Sequence, residues 1–219
     1  MSLKEIIAAC APARVLAVSK LQPVEKVTSL YLEGQRHFGE NYVQEALEKM
    51  KALQDLSEIE WHLIGNLQKK KAKIVAGKFN LIHSIDSLEL ATKLSEHCGS
   101  SGLTQNILIQ VNIANQESKH GFDKNQVMAQ WNQLTALPAI KIMGLMTMPP
   151  LTESGEHVRP YFRELRLLLE NLRLQTDLKR HPLTELSMGT SHDFTVAIEE
   201  GATIVRLGTI LFGERPPKM

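Results

Sequence analysis

Arg14-Val15-Leu16-Ala17-Val18-Ser19 runs almost wholly apolar into Lys20-Leu21-Gln22-Pro23, and Val24, Val27, Leu30 and Tyr31 follow at helical spacing before Gly34. A short apolar run without polar alternation suits a strand buried on both faces. Pro23 fits a first helical turn and Gly34 a helix end. The segment is therefore a strand feeding a helix. It lacks the Gly-rich turn that marks a dinucleotide-binding doubly wound sheet.

Outward from this unit the pattern repeats. Before it, Ser2-Leu3-Lys4-Glu5 reads as a capping box opening a short extra helix. After it come further strand-like runs: Arg36-His37-Phe38, Trp61-His62-Leu63-Ile64, Asn80-Leu81-Ile82-His83, Ile107-Leu108-Ile109-Gln110-Val111, Ile140-Lys141-Ile142-Met143-Gly144, Thr184-Glu185-Leu186-Ser187 and Thr203-Ile204-Val205-Arg206. Helix-period segments separate them. One carries Val43, Leu47, Met50 and Leu53; others cover residues 67–76, 87–97, 123–135 and 156–178, and the last ends at Gly201. Alternating strand and helix implies a parallel sheet. The expectation is an α/β fold: a single (β/α)8 TIM-type barrel domain over residues 1–219, with an extra N-terminal helix. An open doubly wound sheet is the competing architecture.

Bulk properties narrow the partners. Of 219 residues, 43% are hydrophobic, enough for a full core, and 25 basic against 24 acidic residues leave a net charge of +1. That balance is no footprint for nucleic acid or for acidic lipid. Two cysteines, Cys10 and Cys98, do not make a disulfide framework, so a reducing compartment is expected. The first residues do not resemble a signal peptide, and no run approaches the roughly 20 apolar residues of a membrane helix. A cytoplasmic monomer is expected. No metal is expected either: the closest histidines, His181 and His192, stand eleven apart, and no short His/Cys/Asp spacing occurs. The Lys69-Lys70-Lys71-Ala72-Lys73 run reads as a solvated helix face.

Barrel chemistry sits on the loops after the strands. The loop Ser187-Met188-Gly189-Thr190-Ser191 follows the seventh strand and Gly208-Thr209 follows the eighth. Loops after these two strands are frequent phosphate sites, and Ser191 is placed to cap the next helix. Two ordinary capped turns are the alternative. Lys20 ends the first strand. On position alone it is a surface lysine reaching out to water. Beside a phosphate site it becomes an amine able to attack an aldehyde. Phosphate plus an amine-reactive aldehyde describes pyridoxal phosphate, and also sugar-phosphate aldolase substrates. Arg206 on the last strand is either half of an ion pair or a fixed donor facing a cofactor ring.

Several motifs now fall in order: Ala17-Val18-Ser19-Lys20, His37-Phe38-Gly39-Glu40-Asn41-Tyr42-Val43-Gln44-Glu45, Trp61-His62-Leu63-Ile64-Gly65, His83-Ser84-Ile85-Asp86, Val111-Asn112 with Lys119 and Gly121, Gly144-Leu145-Met146, Leu186-Ser187-Met188-Gly189 with Ser191 and Asp193, and Val205-Arg206-Leu207-Gly208-Thr209. Together they resemble the pyridoxal phosphate homeostasis proteins, which are similar to the barrel domain of alanine racemase (fold type III). The resemblance implies pyridoxal 5′-phosphate as cofactor, held as a Schiff base on Lys20. It implies Asn41 near the ring hydroxyl and Arg206 facing the pyridine nitrogen. It places Ser187, Met188, Gly189, Ser191, Gly208 and Thr209 around the phosphate. Thr190, Lys70 and His192 depart from the family pattern.

The resemblance implies buffering or delivery of the cofactor without turnover, with no catalytic residue assigned and with transient contact to pyridoxal phosphate-dependent apo-enzymes. The alternative is a racemase or decarboxylase of fold type III. A racemase of this fold needs a base on each face of the cofactor, and Tyr31, Tyr42 and Tyr161 stand in no matching context.

Overall fold

Eight parallel strands close on themselves in the computed structural model, which describes residues 1–114, 116, 120–150 and 155–213. They are β1 (Arg14–Val18), β2 (His37–Glu40), β3 (Glu60–Leu63), β4 (Leu81–Ile85), β5 (Gln105–Gln110), β6 (Ile140–Met146), β7 (Glu185–Thr190) and β8 (Ile204–Leu207). Each pairs with its neighbour in sequence, and β8 pairs back onto β1 with Leu16 beside Arg206. The barrel, not the open sheet, is the architecture. Lys119, quoted above, lies outside the described residues.

Helices follow the strands: α1 (Leu3–Cys10) ahead of the barrel, then α2 (Val24–Leu32), α3 (Val43–Ala52), α4 (Ala72–Val75), α5 (Leu88–Gly99), α6 (Lys124–Ala136), α7 (Arg159–Arg173), α8 (Phe194–Glu199) and α9 (Thr209–Phe212). The expected capping box at Ser2 and Glu5 is present, and Asp123 with Gln126 forms another. None of the helices among the described residues is long and apolar enough to cross a membrane. Cys10 and Cys98 are free and buried.

Three elements depart from expectation. The helix expected over 67–76 shrinks to a 3₁₀ turn, Lys69–Lys71, and the single turn α4. Its start has no side-chain cap, and a continuous helix would set Lys69 and Lys70 four and three residues from Lys73, like charges on one face that disfavour it. The helix expected over 156–178 begins as a 3₁₀ turn, and α7 starts at Arg159 because Pro160 is tolerated only in a first turn. The seventh strand runs three residues further than expected, to Thr190. Ser187 and Met188 are thereby strand residues, not loop residues.

Alternation along each strand sorts the core into two parts. Outward residues such as Val15, Ala17, Phe38, Leu63, Ile107, Val205 and Leu207 pack against the helices. Inward residues Leu16, Leu81, Leu108, Met146 and Ile204 fill the barrel itself. A packed interior is normal for this fold. Here a polar line runs beside the apolar plug, made of His62, His83, Ser187 and Arg206, all buried.

A second buried polar group fixes the loop that leaves β1. Lys49 on α3 donates to the Ser19 carbonyl at 2.6 Å, to Glu40 Oε1 at 2.8 Å and to Glu45 Oε1 at 2.7 Å. Ser19 Oγ also donates to Glu40, and the Leu21 amide donates to Glu45 Oε1, both at 2.6 Å. Leu21 has a φ of 59°, a left-handed conformation costing a non-glycine residue about 1–2 kcal/mol. Lys20 lies between these two clamped residues, so the direction in which it leaves the strand is set by α3. Burial pushes the Glu40 carboxyl up, while its bonds from Lys49 and Ser19 pull it down.

Lys49→Met keeps the stem and removes the charge, leaving Glu40 buried without its cation. It should lower stability by about 3–5 kcal/mol, read from urea midpoints at unchanged slope. Adding Glu40→Leu should restore part of that loss. A neutral Lys49→Met would show that the network does not hold this loop.

Candidate functional site

The strand ends converge on a cavity of about 230 Å³ at the C-terminal mouth of the barrel. Its wall follows from parity. Val18 is two residues past Leu16 on β1, and Lys20 two further. Asn41 follows β2, Ile64 follows β3, and Met148 is two past Met146 on β6. Thr190, Ser191 and His192 come from the end of β7. Arg206, Gly208 and Thr209 come from β8 and the turn after it.

Lys20, Asn41, Ser191, Arg206, Gly208 and Thr209 are thus brought together as expected from the sequence. Ser187, Met188 and Gly189 do not line the cavity. Met188 points outward into the helix-facing core. Gly189 has φ +90°, and a Cβ there would sit 2.6 Å from the Ala197 methyl, so this glycine serves the packing of α8 on β7. Ser187 points into the barrel below the cavity and meets the site through Arg206.

Arg206 is 4% exposed. Its Nη1 donates to the Ser187 carbonyl and to Ser187 Oγ, both at 2.7 Å. Its Nη2 donates to the Thr147 carbonyl at 2.8 Å and contacts Met148 Sδ at 2.9 Å. A guanidinium has five N–H donors; these contacts occupy the terminal groups, and Nε–H has no acceptor among the described residues. Burial pulls the Arg206 pKa down to about 10, with the Asp193 carboxylate acting in the opposite sense. The group stays cationic at neutral pH.

Beneath Arg206 the polar line continues. Ser187 Oγ lies 2.9 Å from His83 Nδ1, and His83 Nε2 lies 2.9 Å from His62 Nδ1. Burial holds the His62 imidazole down at about pKa 3 and His83 well below its ordinary value, so both rings are neutral. His83 has both nitrogens bonded. His62 does not: its Nε2 is buried without a partner.

The loop after β7 is organised differently from the sequence expectation. Asp193, not Ser191, occupies the N-cap position of α8. Its Oδ1 accepts from the Thr190 amide at 2.6 Å and from Thr190 Oγ1 at 3.0 Å, which turns the loop over the cavity. This is where the departure at Thr190 finds its use. Ser191 Oγ accepts instead from the Gly208 amide at 3.4 Å, joining the two loops. His192 is exposed on the rim. Sequence reasoning missed Val18, Ile64 and Met148 as lining residues. Counting by twos from Leu16, His62 and Met146 finds all three.

The comparisons with known proteins agree with the barrel fold. Residues 2–216 match the model of the alanine racemase N-terminal domain. A pyridoxal phosphate homeostasis protein of Aquifex aeolicus is 46% identical over 203 residues, 93% of this chain and 87% of the relative. The solved structure of PipY from Synechococcus elongatus without PLP superposes with a TM-score of 0.91 at 39% identity, covering 96% of this chain and 98% of PipY. PipY with PLP bound gives 0.89. Alanine racemase of Clostridium difficile shares the fold at 17% identity and a TM-score of 0.76, and 56% of its length is covered. By sequence and by fold, the chain belongs to the pyridoxal phosphate homeostasis protein family, built on the alanine racemase N-terminal domain.

Proposed function

We propose that this chain holds pyridoxal 5′-phosphate at the C-terminal mouth of its barrel, attached to Lys20, and that it buffers or delivers the cofactor inside the cell. The observation that carries the reading is one cavity lined by Lys20, Asn41, Arg206, Ser191, Gly208 and Thr209. The relatives' name and the PLP-bound form of PipY support the same cofactor.

The residues fit the group. Asn41 Oδ1 is buried without a partner among the described residues, so a donor is wanted there. Arg206 brings a buried positive charge with no carboxylate in ion-pair contact among the described residues, and an unused Nε–H. An uncompensated buried cation favours an anionic ligand. A Cβ on Gly208 would meet Val18 only at 3.8 Å, so the protein does not forbid a side chain. Both residues line the cavity, and the missing side chain leaves that room to a ligand.

Pyridoxal phosphate supplies, when bound, an aldehyde that condenses with a primary amine and a ring that withdraws electrons. Lys20 provides the amine, aimed by the clamped loop around Leu21. Ser191, Thr209 and the Gly208 backbone would hold the phosphate. Asn41 would accept from the ring hydroxyl. Arg206 would donate to the ring nitrogen without giving up its proton, which leaves the ring a weaker electron sink than an acidic partner would. That favours holding the cofactor over carbanion chemistry. The titratable side chains on the cavity wall are Lys20, His192 and Arg206, with no tyrosine among them. The reading takes residues 1–219 as one domain, a cytoplasmic monomer that meets apo-enzymes transiently.

The protein loaded with pyridoxal phosphate should show the visible absorption of a lysine-bound cofactor. Lys20→Ala should lose it; an unchanged band in that variant would end the assignment. Ser191→Ala and Thr209→Val should each raise the cofactor dissociation constant about tenfold, roughly 1.4 kcal/mol, measured by equilibrium dialysis. In a mixture with a pyridoxal phosphate-dependent apo-enzyme, the loaded protein should restore activity at a rate different from an equal concentration of free cofactor. Racemase or decarboxylase turnover on common amino acids at about 1 s⁻¹ or faster would replace the carrier reading with an enzymatic one.

A further inference from the structure

At the opposite, N-terminal mouth of the barrel a second set of side chains meets. Glu60 and His62 are two apart on β3, so both face inward. The parallel register sets His37 of β2 directly beside Glu60. One ligating atom from each of His37, Glu60 and His62 lies within 4.8 Å of the other two. We propose that these three residues form a binding site for one divalent transition-metal ion, zinc in the first instance, distinct from the cofactor cavity.

Two unpartnered nitrogens point to a ligand. His62 is 3% exposed, and its Nε2 has no hydrogen bond among the described residues. His37 Nδ1 is buried and equally without one; it lies 3.3 Å from Glu60 Oε2 but outside hydrogen-bond geometry. An unsatisfied buried polar atom is costly, and one metal ion would satisfy both. The 3.3 Å separation also matches the edge of a tetrahedron whose bonds are about 2.0–2.1 Å, the zinc–nitrogen and zinc–oxygen distance.

The surroundings suit the ion. His62 is held from behind by His83 at 2.9 Å through its other nitrogen, and His83 by Ser187. Metal-bound histidines are characteristically oriented by such a bond. Burial lowers the pKa of both His37 and His62, keeping them in the neutral form that ligates. Arg14 is the nearby cation, and it is bound to Glu185 at 2.6 Å. The charged groups that act on His37 are the Glu60 and Glu185 carboxylates and the Arg14 guanidinium. Two imidazoles and one carboxylate select a borderline ion such as zinc over calcium or magnesium, which prefer oxygen. His37 also borders a surface groove of about 350 Å³ with Arg14, Gln35 and Arg36, and the Glu60 side chain is 46% exposed, so Glu60 is the ligand open to solvent. In this fold the bottom face serves stability more than chemistry; the ion would tie β2 to β3 and close the mouth.

The test is zinc content by atomic emission after equilibration and dialysis, with Co²⁺ titration followed in the d–d region as a coordination signature. The cofactor-loaded protein should bind one zinc per chain, and Co²⁺ should give the intense bands of a four- or five-coordinate site. His37→Asn and Glu60→Gln alter partly exposed residues and should fold; each should weaken binding at least about tenfold. His62→Asn should lose the site. Lys20→Ala should bind zinc as the wild type does. The proposal is overturned if the wild type retains no zinc, or if the His37→Asn/Glu60→Gln double variant binds unchanged. It is also overturned if Lys20→Ala abolishes binding, because the metal would then sit on the cofactor.

Discussion

A guanidinium sealed inside a closed barrel is the constraint around which this molecule is arranged. Arg206 reaches the inner face because it stands two residues past Ile204 on β8. From there it must find acceptors without help from water. The barrel supplies them from two neighbouring walls: the Ser187 backbone and hydroxyl on β7, and the Thr147 carbonyl after β6. Ser187 must then face inward too, which fixes the parity of β7. That parity sends Met188 outward and leaves the loop after Thr190 to cover the mouth.

The two buried cations solve the same problem in opposite ways. Lys49 is neutralised where it sits, by Glu40 and Glu45, although the second oxygen of Glu40 is buried without a partner among the described residues. It can hold a loop and do nothing more. Arg206 is solvated almost wholly by neutral groups, so its charge is left over. Placed at the floor of the cavity, that charge faces whatever enters the mouth, although the chain as a whole is nearly neutral. Net charge describes encounters with large surfaces; it says little about a small anion entering a pocket of this kind.

Much of this was legible in the sequence, for local reasons. Strand cores, the cap at Ser2, and the residues just past β1, β2 and β8 follow from periodicity and turn chemistry. The misses are failures of register. Reading β7 as ending at Ser187 placed Ser187, Met188 and Gly189 in a loop, whereas the strand runs on to Thr190, through an irregularity in its pairing with β8, and gives each a different neighbour. Pro160 carried the signal that shortened α7, and it was overlooked. Lys49 was invisible because a lysine on a helix reads as solvent-facing until the carboxylates beneath it are known. His37, Glu60 and His62 are spread over two strands, and a search along the chain for ligand spacing does not join them.

The file of polar groups between Arg206 and His62 has one further property. Each histidine in it can hand its proton in only one direction at a time. Arg206 always donates, so it anchors one end. If His62 gives its Nδ1 proton to His83, then His83 gives to Ser187, whose oxygen receives two protons and must direct its own elsewhere. If Ser187 gives to His83 instead, every bond reverses and His62 presents an N–H to the far mouth. The geometry is the same in both orders. The barrel's two openings share no lining residue, yet they are joined by a row of hydrogens that must all point one way or all the other. A ligand that fixes the sense of the row at one opening fixes it at the other, with no heavy atom moved.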